Sequence, residues 1–534
     1  MRPPNLFNVN GRIGKSAYET TDFPTVNALI KHLDYLGIER SLAWHLAARD
    51  INPTFGNLKL LEEIAAAGAE DRIIPAFIIT PACFYASGVL ESLKKVFAAK
   101  QVRAIRLTPE VCRFPLRRIE RVLAELAEFE PLILWDVKML AQNSPDMEYL
   151  AKRFPQINFA LTQIMWPPFG AVLDLMWRCP NIYIDISWLH MRESIELLCR
   201  DFGAERILFG IGLKSHYGAA IAELAFAQIS DAERELIAHG NIERLLDIPA
   251  SRKQISPCLN ADKPLWEKFS QGEPLRDVPI IDAHAHDQLP DMGWFMPETS
   301  PVDSAKAFSR QSERLAINLT IVCSGIALFG DGVEGNLATE QAFKDHGSFK
   351  GYLGFNPRFS EDLTPRFDAF FSRDFYVGFK LLSDYWKIPV TDPSYNPVWE
   401  YADKHHLPIL LHTWGGNFDS PGMLSEIVPK YPNAIFLLGH SGGSGNGRQE
   451  AIKLALNNDN VYLEFCGSFT VPDLYEKAIT QVGIDKVVFG SDTLGHSVVW
   501  ELGRFLSLPL NDDELLLALA RNMERILQKG NNLS

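Results

Sequence analysis

Residues 407–414 read LPILLHTW and residues 130–137 read EPLILWDV, and each is a short apolar run that leads into aromatic or polar residues. Similar runs recur along both halves of the chain, and amphipathic stretches such as AFSRQSERLAIN (307–318) separate them. Strands that are apolar on both faces and alternate with helices indicate a parallel sheet covered by helices. The sequence therefore predicts an α/β fold.

The two halves of the chain repeat the same series of runs in the same order. The pairs include INFALTQ (157–163) with AIFLLGH (434–440), NIYIDIS (181–187) with NVYLEFC (460–466), and RILFGIG (206–212) with KVVFGSD (486–492). Matched positions are roughly 274 to 281 residues apart, which favours two copies of one domain over coincidence.

The size of each copy selects the architecture. About 250 residues with seven or eight strand–helix units is typical of a (β/α)8 barrel, and 534 residues exceed what one core supports. We predict two tandem (β/α)8 TIM-barrel domains from an internal duplication, at residues 1–250 and 278–534, with a linker at 251–277. A doubly wound open sheet is the alternative, but no glycine-rich phosphate turn follows either first strand.

The overall composition limits the partners. A net charge of −14 argues against nucleic acid and anionic membranes as partners, and no apolar stretch is long enough to span a bilayer. Seven cysteines without a CxxC pair indicate reduced thiols, and the N-terminus does not resemble a secretory signal. We expect a cytoplasmic protein that acts on a small molecule; the sequence leaves open whether it forms a homo-oligomer.

Polar side chains follow the apolar strands of the second copy. His284 and His286 come after PII, His412 after PILL, His440 after IFLLG, and Asp492 after VVFGS. The carboxyl ends of the strands of a parallel barrel meet at one mouth, where such folds hold their active sites. The five side chains are therefore expected to lie together.

Histidines and a carboxylate at one mouth suggest a metal site. His284 and His286 are two residues apart, so they point to the same face of a strand. Imidazoles and one carboxylate suit zinc or another first-row divalent ion. For any one of these histidines alone, a hydrogen-bonded structural role is the alternative.

The motifs IDAHAH (281–286), LLHTW (410–414), LLGHSGG (437–443) and VVFGSDT (487–493) resemble the amidohydrolase superfamily. They are similar to the amidohydrolase-related branch that includes aminocarboxymuconate-semialdehyde decarboxylase and several lactone and ester hydrolases. The resemblance covers the second half closely and the first half by fold only. It implies one divalent ion, with zinc favoured and manganese as the alternative, surrounded by His284, His286, His412 and Asp492.

The resemblance also implies a reaction. Asp492 and His440 are the implied catalytic residues, and either would take a proton from a metal-activated water that attacks an ester, lactone or amide of a small molecule. Nonoxidative decarboxylation of an unsaturated or aromatic acid is an alternative, because relatives use the same ligand set for it. A second alternative is a non-catalytic binding or scaffold protein.

Four further residues are candidates for substrate binding: Lys380, Trp414, Arg448 and His496. Each has a competing interpretation. Lys380 matches the place of a carboxylated lysine in some relatives and could instead pair with Glu464. Trp414 could simply pack in a loop, His496 could be an exposed loop histidine, and Arg448 a solvated arginine at a helix start.

The first copy lacks the ligand set. Asn10 and Arg12 replace the paired histidines, Trp135 replaces His412, Gln163 replaces His440, and Gly212 replaces Asp492. Arginine has no lone pair to donate, tryptophan offers only an N–H donor, and glycine offers no side chain. The first barrel is therefore predicted to be degenerate and without catalytic activity.

Overall fold

The computed structural model describes residues 5–137, 140–166, 168–250, 255–288, 298–467, 471–493 and 495–530. The chain forms two compact units: the first is built mainly from Met1–Asp262, and the second mainly from the residues that follow. The predicted linker at 251–277 contains the helix Pro264–Phe269. Among the described residues, no helix has the length and apolar character needed to cross a membrane.

The first unit contains an eight-stranded parallel sheet whose strands pair in chain order. The strands are β1 Phe7–Ile13, β2 Arg40–His45, β3 Ile73–Ile78, β4 Ala104–Leu107, β5 Leu132–Asp136, β6 Phe159–Thr162, β7 Ile182–Asp185 and β8 Ile207–Leu208. The amide of Val9 on β1 donates to the carbonyl of Phe209, just after β8, at 3.0 Å. This bond joins the first strand to the last, so the sheet closes as a barrel.

The second unit repeats the arrangement with seven assigned strands in chain order. They are β9 Ile281–His286, β10 Leu319–Cys323, β11 Phe349–Gly354, β12 Tyr376–Leu381, β13 Pro408–His412, β14 Ile435–Gly439 and β15 Val461–Leu463. The predicted eighth strand, around residues 486–492, is not assigned as a strand. This segment nevertheless lies between β15 and β9 and closes the barrel. Val487 forms a bridge with Leu463, and the carbonyl of Phe489 accepts from the amide of Ala283 at 3.0 Å. The prediction of two TIM-barrel domains is confirmed in fold.

Helices follow the strands in both units. In the first unit the longer ones are Val26–Leu36, Pro53–Ala66, Val89–Ala98, Glu120–Leu126, Leu140–Arg153, Phe169–Arg178, Ser194–Phe202 and Ala219–Phe226. In the second they are Pro301–Leu315, Gly332–Phe343, Asn396–His405, Gly445–Asn457, Tyr475–Val482, Val498–Leu506 and Asn522–Lys529. Some of these helices are capped by a side-chain oxygen: that of Ser300, for example, accepts from the amide of Asp303.

Burial of whole strands explains why the runs are apolar throughout. Every residue of β2, β12 and β14 is buried, as expected when one face packs inside a barrel and the other against helices. A polar side chain on such a strand loses its water and needs a partner. Polar residues on the inner face are therefore the candidates for function.

The backbone conformation repeats between the units as well. Left-handed φ angles recur at matched positions: Gly37 and Ala316, Arg113 and Lys387, Glu130 and His406, Gln163 and His440, Gly203 and Gly483. Most residues avoid this conformation, so its recurrence reflects the same turns in the same places. The agreement supports the alignment of the two halves, while their common origin stays a prediction.

Candidate metal centre

Strand β9 carries the paired histidines into the barrel of the second unit. His284 and His286 are both buried, and their ring centroids lie 5.4 Å apart. Side chains two positions apart on a strand share a face, which is why both imidazoles point inward. The sequence prediction that they lie together is consistent with this geometry.

Asp492 lies directly beside the two imidazoles. Its amide donates to the carbonyl of His284 at 2.8 Å, and its backbone takes a left-handed φ of 56°. The carboxylate oxygen Oδ1 lies 3.4 Å from Nε2 of His284 and 3.4 Å from Nε2 of His286. The first strand of this barrel and the segment after its last strand thus bring one carboxylate oxygen and two imidazole nitrogens close together.

These three side chains fit a divalent ion. Two ligands about 2.0–2.1 Å from a tetrahedral zinc ion lie about 3.3 Å apart, close to the separations found between Oδ1 and each Nε2. Burial, and then the charge of Lys380, lowers the pKa of His284, and burial lowers that of His286. Burial raises the pKa of Asp492, but the charge of His284 and its other neighbours outweighs this, holding that pKa well below its usual value. Neutral imidazoles and an ionised carboxylate are the forms that bind metal.

Acceptors orient the histidine rings of the site. Three contacts share this arrangement: His284 Nδ1 with Glu464 Oε2 at 2.8 Å, His412 Nδ1 with Asp419 Oδ2 at 2.8 Å, and His440 Nδ1 with the carbonyl of Cys466 at 2.7 Å. An acceptor at Nδ1 fixes the proton there and leaves Nε2 with its lone pair. Each ring therefore presents an acceptor nitrogen.

His412 and His440 lie beside each other on the next strand ends. Their ring centroids are 4.7 Å apart, and the ring of His440 is 5.2 Å from that of His284. Among the described residues, the groups of three or more close ligand atoms include His284, His286 and Asp492 but never His412. His412 thus borders the predicted centre on the side of His440, and its role as a ligand stays a prediction.

Lys380 contacts a proposed ligand directly. It is fully buried on β12, and its Nζ lies 2.7 Å from Nε2 of His284. Burial lowers the pKa of Lys380. Within the described part of the chain, Lys380 forms no ion pair with Glu464, which instead pairs with His284.

The other candidate residues occupy different positions around the site. The ring of Trp414 is 5.8 Å from that of His440, on the side where β13 ends. Nε2 of His496 lies 3.3 Å from Oδ2 of Asp492. His496 is only 4% exposed and Arg448 only 2% exposed, so the expectations of an exposed loop histidine and a solvated arginine are wrong.

Sequence reasoning missed two residues of the site. Cys466 Sγ lies 3.1 Å from Nδ1 of His284 and shares a group of ligand atoms with His440 and Asp492. Its position two residues after Glu464, at the same strand end, was a usable signal. Asp419 lies in a loop, and no pattern in the sequence connects it with His412.

The matched positions of the first unit are occupied differently. Asn10 donates from Nδ2 to Ser187 Oγ at 3.2 Å, and Arg12 lies 3.4 Å from Glu19. A Cβ atom on Gly212 would lie 2.2 Å from Nδ1 of His216, so a neighbouring ring fills the space of a carboxylate. No group of metal-ligand atoms is found among the described residues of this unit.

Comparison with known proteins places the chain in a family. The family model described as amidohydrolase matches residues 56–248 and 281–528, which together make up more than half of the chain. The chain belongs to the amidohydrolase family. Enzymes of this family are metal-dependent, and the model matches both barrels. No curated protein matches the chain.

Solved structures similar to the chain each align with about half of it. The 2,6-dihydroxybenzoate decarboxylase from Rhizobium is 14% identical with a TM-score of 0.34, covering 46% of this chain and 99% of its own. The 5-carboxyvanillate decarboxylase from Sphingomonas paucimobilis is 13% identical with a TM-score of 0.35, covering 47% and 99%. The 4-oxalomesaconate hydratase from Rhodopseudomonas palustris is 16% identical with a TM-score of 0.34, covering 47% and 96%.

Proposed function

We propose that the second unit is a metal-dependent hydrolase of a small-molecule ester, lactone or amide. The observation that supports this most strongly is the convergence of His284, His286 and Asp492, with Oδ1 of the aspartate 3.4 Å from both Nε2 atoms. These residues, with His412 as the fourth predicted ligand, would hold one divalent ion. Nitrogen and oxygen ligands suit zinc, and manganese is the alternative.

Proton transfer would fall to His440 and Asp492. When bound, a divalent ion supplies Lewis acidity to a water molecule and to the scissile carbonyl. His440 holds its Nδ1 proton against the carbonyl of Cys466, so Nε2 is free to accept a proton and later return it to the leaving group. Burial lowers the pKa of His440 to about 3, which keeps this imidazole neutral before the reaction.

The surroundings of the site favour a small, partly apolar substrate. Trp414 offers an aromatic surface beside His440, and Lys380 a buried amino group beside His284. We assign substrate contact to Trp414, Lys380 and His496. We place the enzyme in the cytoplasm, where its seven cysteines would stay reduced. Assembly into a homo-oligomer stays a prediction.

A substrate panel tests the proposal. The full chain, reloaded with zinc or manganese, is screened against lactones, esters, amides and aromatic acids, and product is analysed for ¹⁸O after reaction in labelled water. We expect turnover with one ¹⁸O in the carboxylic acid formed, and loss of turnover in His440→Ala with the metal retained. Gln163→Ala, at the matched position of the first unit, is the control and should keep full activity. Metal binding without turnover of any substrate would contradict the proposal and favour a binding or scaffold protein.

Decarboxylation of an aromatic acid is a second candidate, favoured by the rings around the site. Tyr385 lies 5.3 Å from the ring of His412 and 5.8 Å from that of Phe329, and Trp414 lies near His440. A flat conjugated acid would pack between such rings. The bond to the carboxylate would break, its electron pair would remain on carbon and take up a proton, and carbon dioxide would leave. Release of carbon dioxide without ¹⁸O in the remaining product distinguishes this reaction from hydrolysis.

A further inference from the structure

The turn that carries His440 has an unusual backbone. His440, Ser441, Gly442 and Gly443 follow one another with φ angles of 64°, 46°, 72° and 67°. Residues with a Cβ rarely adopt this conformation, and two of the four have one. The turn joins β14 to the helix Gly445–Asn457 and needs outside contacts to keep its shape.

The first unit makes the same connection without this run. Gln163, at the position of His440, has a φ of 58°, but none of the residues 164–166 has a positive φ. Ala171 stands at the position of Arg448: the first lies eight residues after Gln163 and the second eight residues after His440. The extended left-handed run and the arginine are thus present together in one unit and absent together from the described part of the other.

The side chain of Arg448 donates hydrogen bonds to the carbonyls at both ends of the turn. Its Nη2 donates to the carbonyl of Gly443 at 2.6 Å and to the carbonyl of His440 at 3.4 Å. The guanidinium lies 4.8 Å from the ring centroid of Phe465 and 5.8 Å from that of Tyr475. With 2% of its surface exposed, this side chain is positioned to hold backbone rather than to meet a ligand from solvent.

Two further hydrogen bonds fix the middle of the turn. Gly442 donates its amide to Thr413 Oγ1 at 2.9 Å, and the hydroxyl of Ser441 donates to the carbonyl of Glu464 at 2.7 Å. Neither bond reaches the terminal carbonyls of the turn. The turn also closes on itself, because the amide of Gly443 donates to the carbonyl of His440 at 2.9 Å. Arg448 adds a side-chain donor that reaches the carbonyls of both His440 and Gly443.

We propose that Arg448 is a positioning residue that holds the left-handed turn and thereby sets the ring of His440 in the site. This inference rests on the proposed function, since His440 is the proton acceptor there. Without the guanidinium, the turn would relax toward ordinary φ angles and carry the ring away from His284 and His412. The position of His440 matters for chemistry more than for substrate binding, so the effect should fall on kcat.

Steady-state kinetics of Arg448→Ala in the metal-loaded full chain test the proposal. We expect kcat to fall about 100-fold, as for a misplacement of roughly 1 Å, with KM within about threefold of wild type and the metal content unchanged. Millimolar guanidinium should restore part of kcat, and Arg448→Lys, with one amino group for two carbonyls, should keep an intermediate rate. Arg525→Ala, which removes a half-exposed arginine of the same unit, is the control for both mutation and guanidinium.

Other outcomes would overturn the inference. A rise in KM with kcat unchanged would mean that Arg448 contacts substrate, and unchanged kinetics would mean that it positions nothing. Hydrogen exchange of the segment 439–447 provides a readout that needs no substrate. If the wild type turns over no substrate, the proposed function fails, whereas the positioning role still predicts faster exchange in Arg448→Ala than in Arg525→Ala; equal exchange would refute it.

Discussion

The two barrels bury polar groups at the same place in opposite ways. In the first, Arg106 on β4 is 1% exposed, donates from Nη1 to Asn10 Oδ1 at 3.2 Å, and forms an ion pair with Asp136. In the second, the matched residue is Lys380, which faces the ring of His284. In the first barrel a permanently charged guanidinium pairs with Asn10 and Asp136. In the second, Lys380 and several acceptor atoms converge on one place.

This difference predicts separate roles for the two barrels. Donors and acceptors that satisfy one another contribute to stability and offer nothing to a ligand. Acceptors without matching donors are costly unless a cation is bound among them. The comparison therefore predicts that substitutions at matched positions will affect metal binding in the second barrel and stability in the first.

Exchanging the residues at positions 284 and 10 tests the comparison most strongly. His284→Asn should lower the bound metal from about one ion per chain to near zero and reduce turnover by about 1000-fold or more, because a ligand and its lone pair are lost. Asn10→His should gain no metal, since Arg12 and Gly212 still supply no ligand. Metal analysis after dialysis measures both. Metal bound by Asn10→His, or retained by His284→Asn, would contradict the comparison.

Much of this arrangement could be predicted from the sequence. Apolar runs marked the strands, and the placement of His284, His286 and Asp492 at strand ends followed from the topology of a parallel barrel. The prediction of a regular eighth strand was wrong. Pairing around Val487 is limited to an isolated bridge, and the backbone of Asp492 has a left-handed φ angle.

Contacts made by side chains across the barrel were harder to predict. The approach of Lys380 to His284 depends on the stagger between β12 and β9, which the sequence does not state. Asp419 reaches His412 from a loop, and loops carry no periodic pattern. The burial of Arg448 depends on a turn whose left-handed run has only glycines as its signal.

Arg106 should matter for the stability of the first barrel. Arg106→Met removes a buried cation and leaves Asp136 without its ion-pair partner, which should lower the free energy of unfolding of this unit by about 3 kcal/mol. Turnover per folded molecule should be unchanged. Hydrogen exchange in peptides of β4 and β5 reports the first unit separately from the second, which a single melting temperature would not do.

Lys100→Met is the matched control for Arg106→Met. Lys100 also pairs with a carboxylate, that of Asp247, but both side chains are mostly exposed, so exchange in the first unit should not change. Equal effects of the two substitutions would show that the buried guanidinium has no special role.

The smallest expected effect concerns a position where the two barrels agree. Asp282 Oδ1 accepts from the amides of His284 at 3.2 Å and Ser491 at 2.9 Å, and Asn8 Oδ1 in the first barrel accepts from the matched amides. Asp282→Asn keeps this acceptor, so stability should change by less than about 1 kcal/mol and turnover by less than threefold. Asp282→Ala leaves two buried amides unsatisfied and should cost about 2 kcal/mol or more in denaturant unfolding. If the asparagine variant were as damaging as the alanine variant, the carboxylate itself would be required, and Asn8 would not be its functional equivalent.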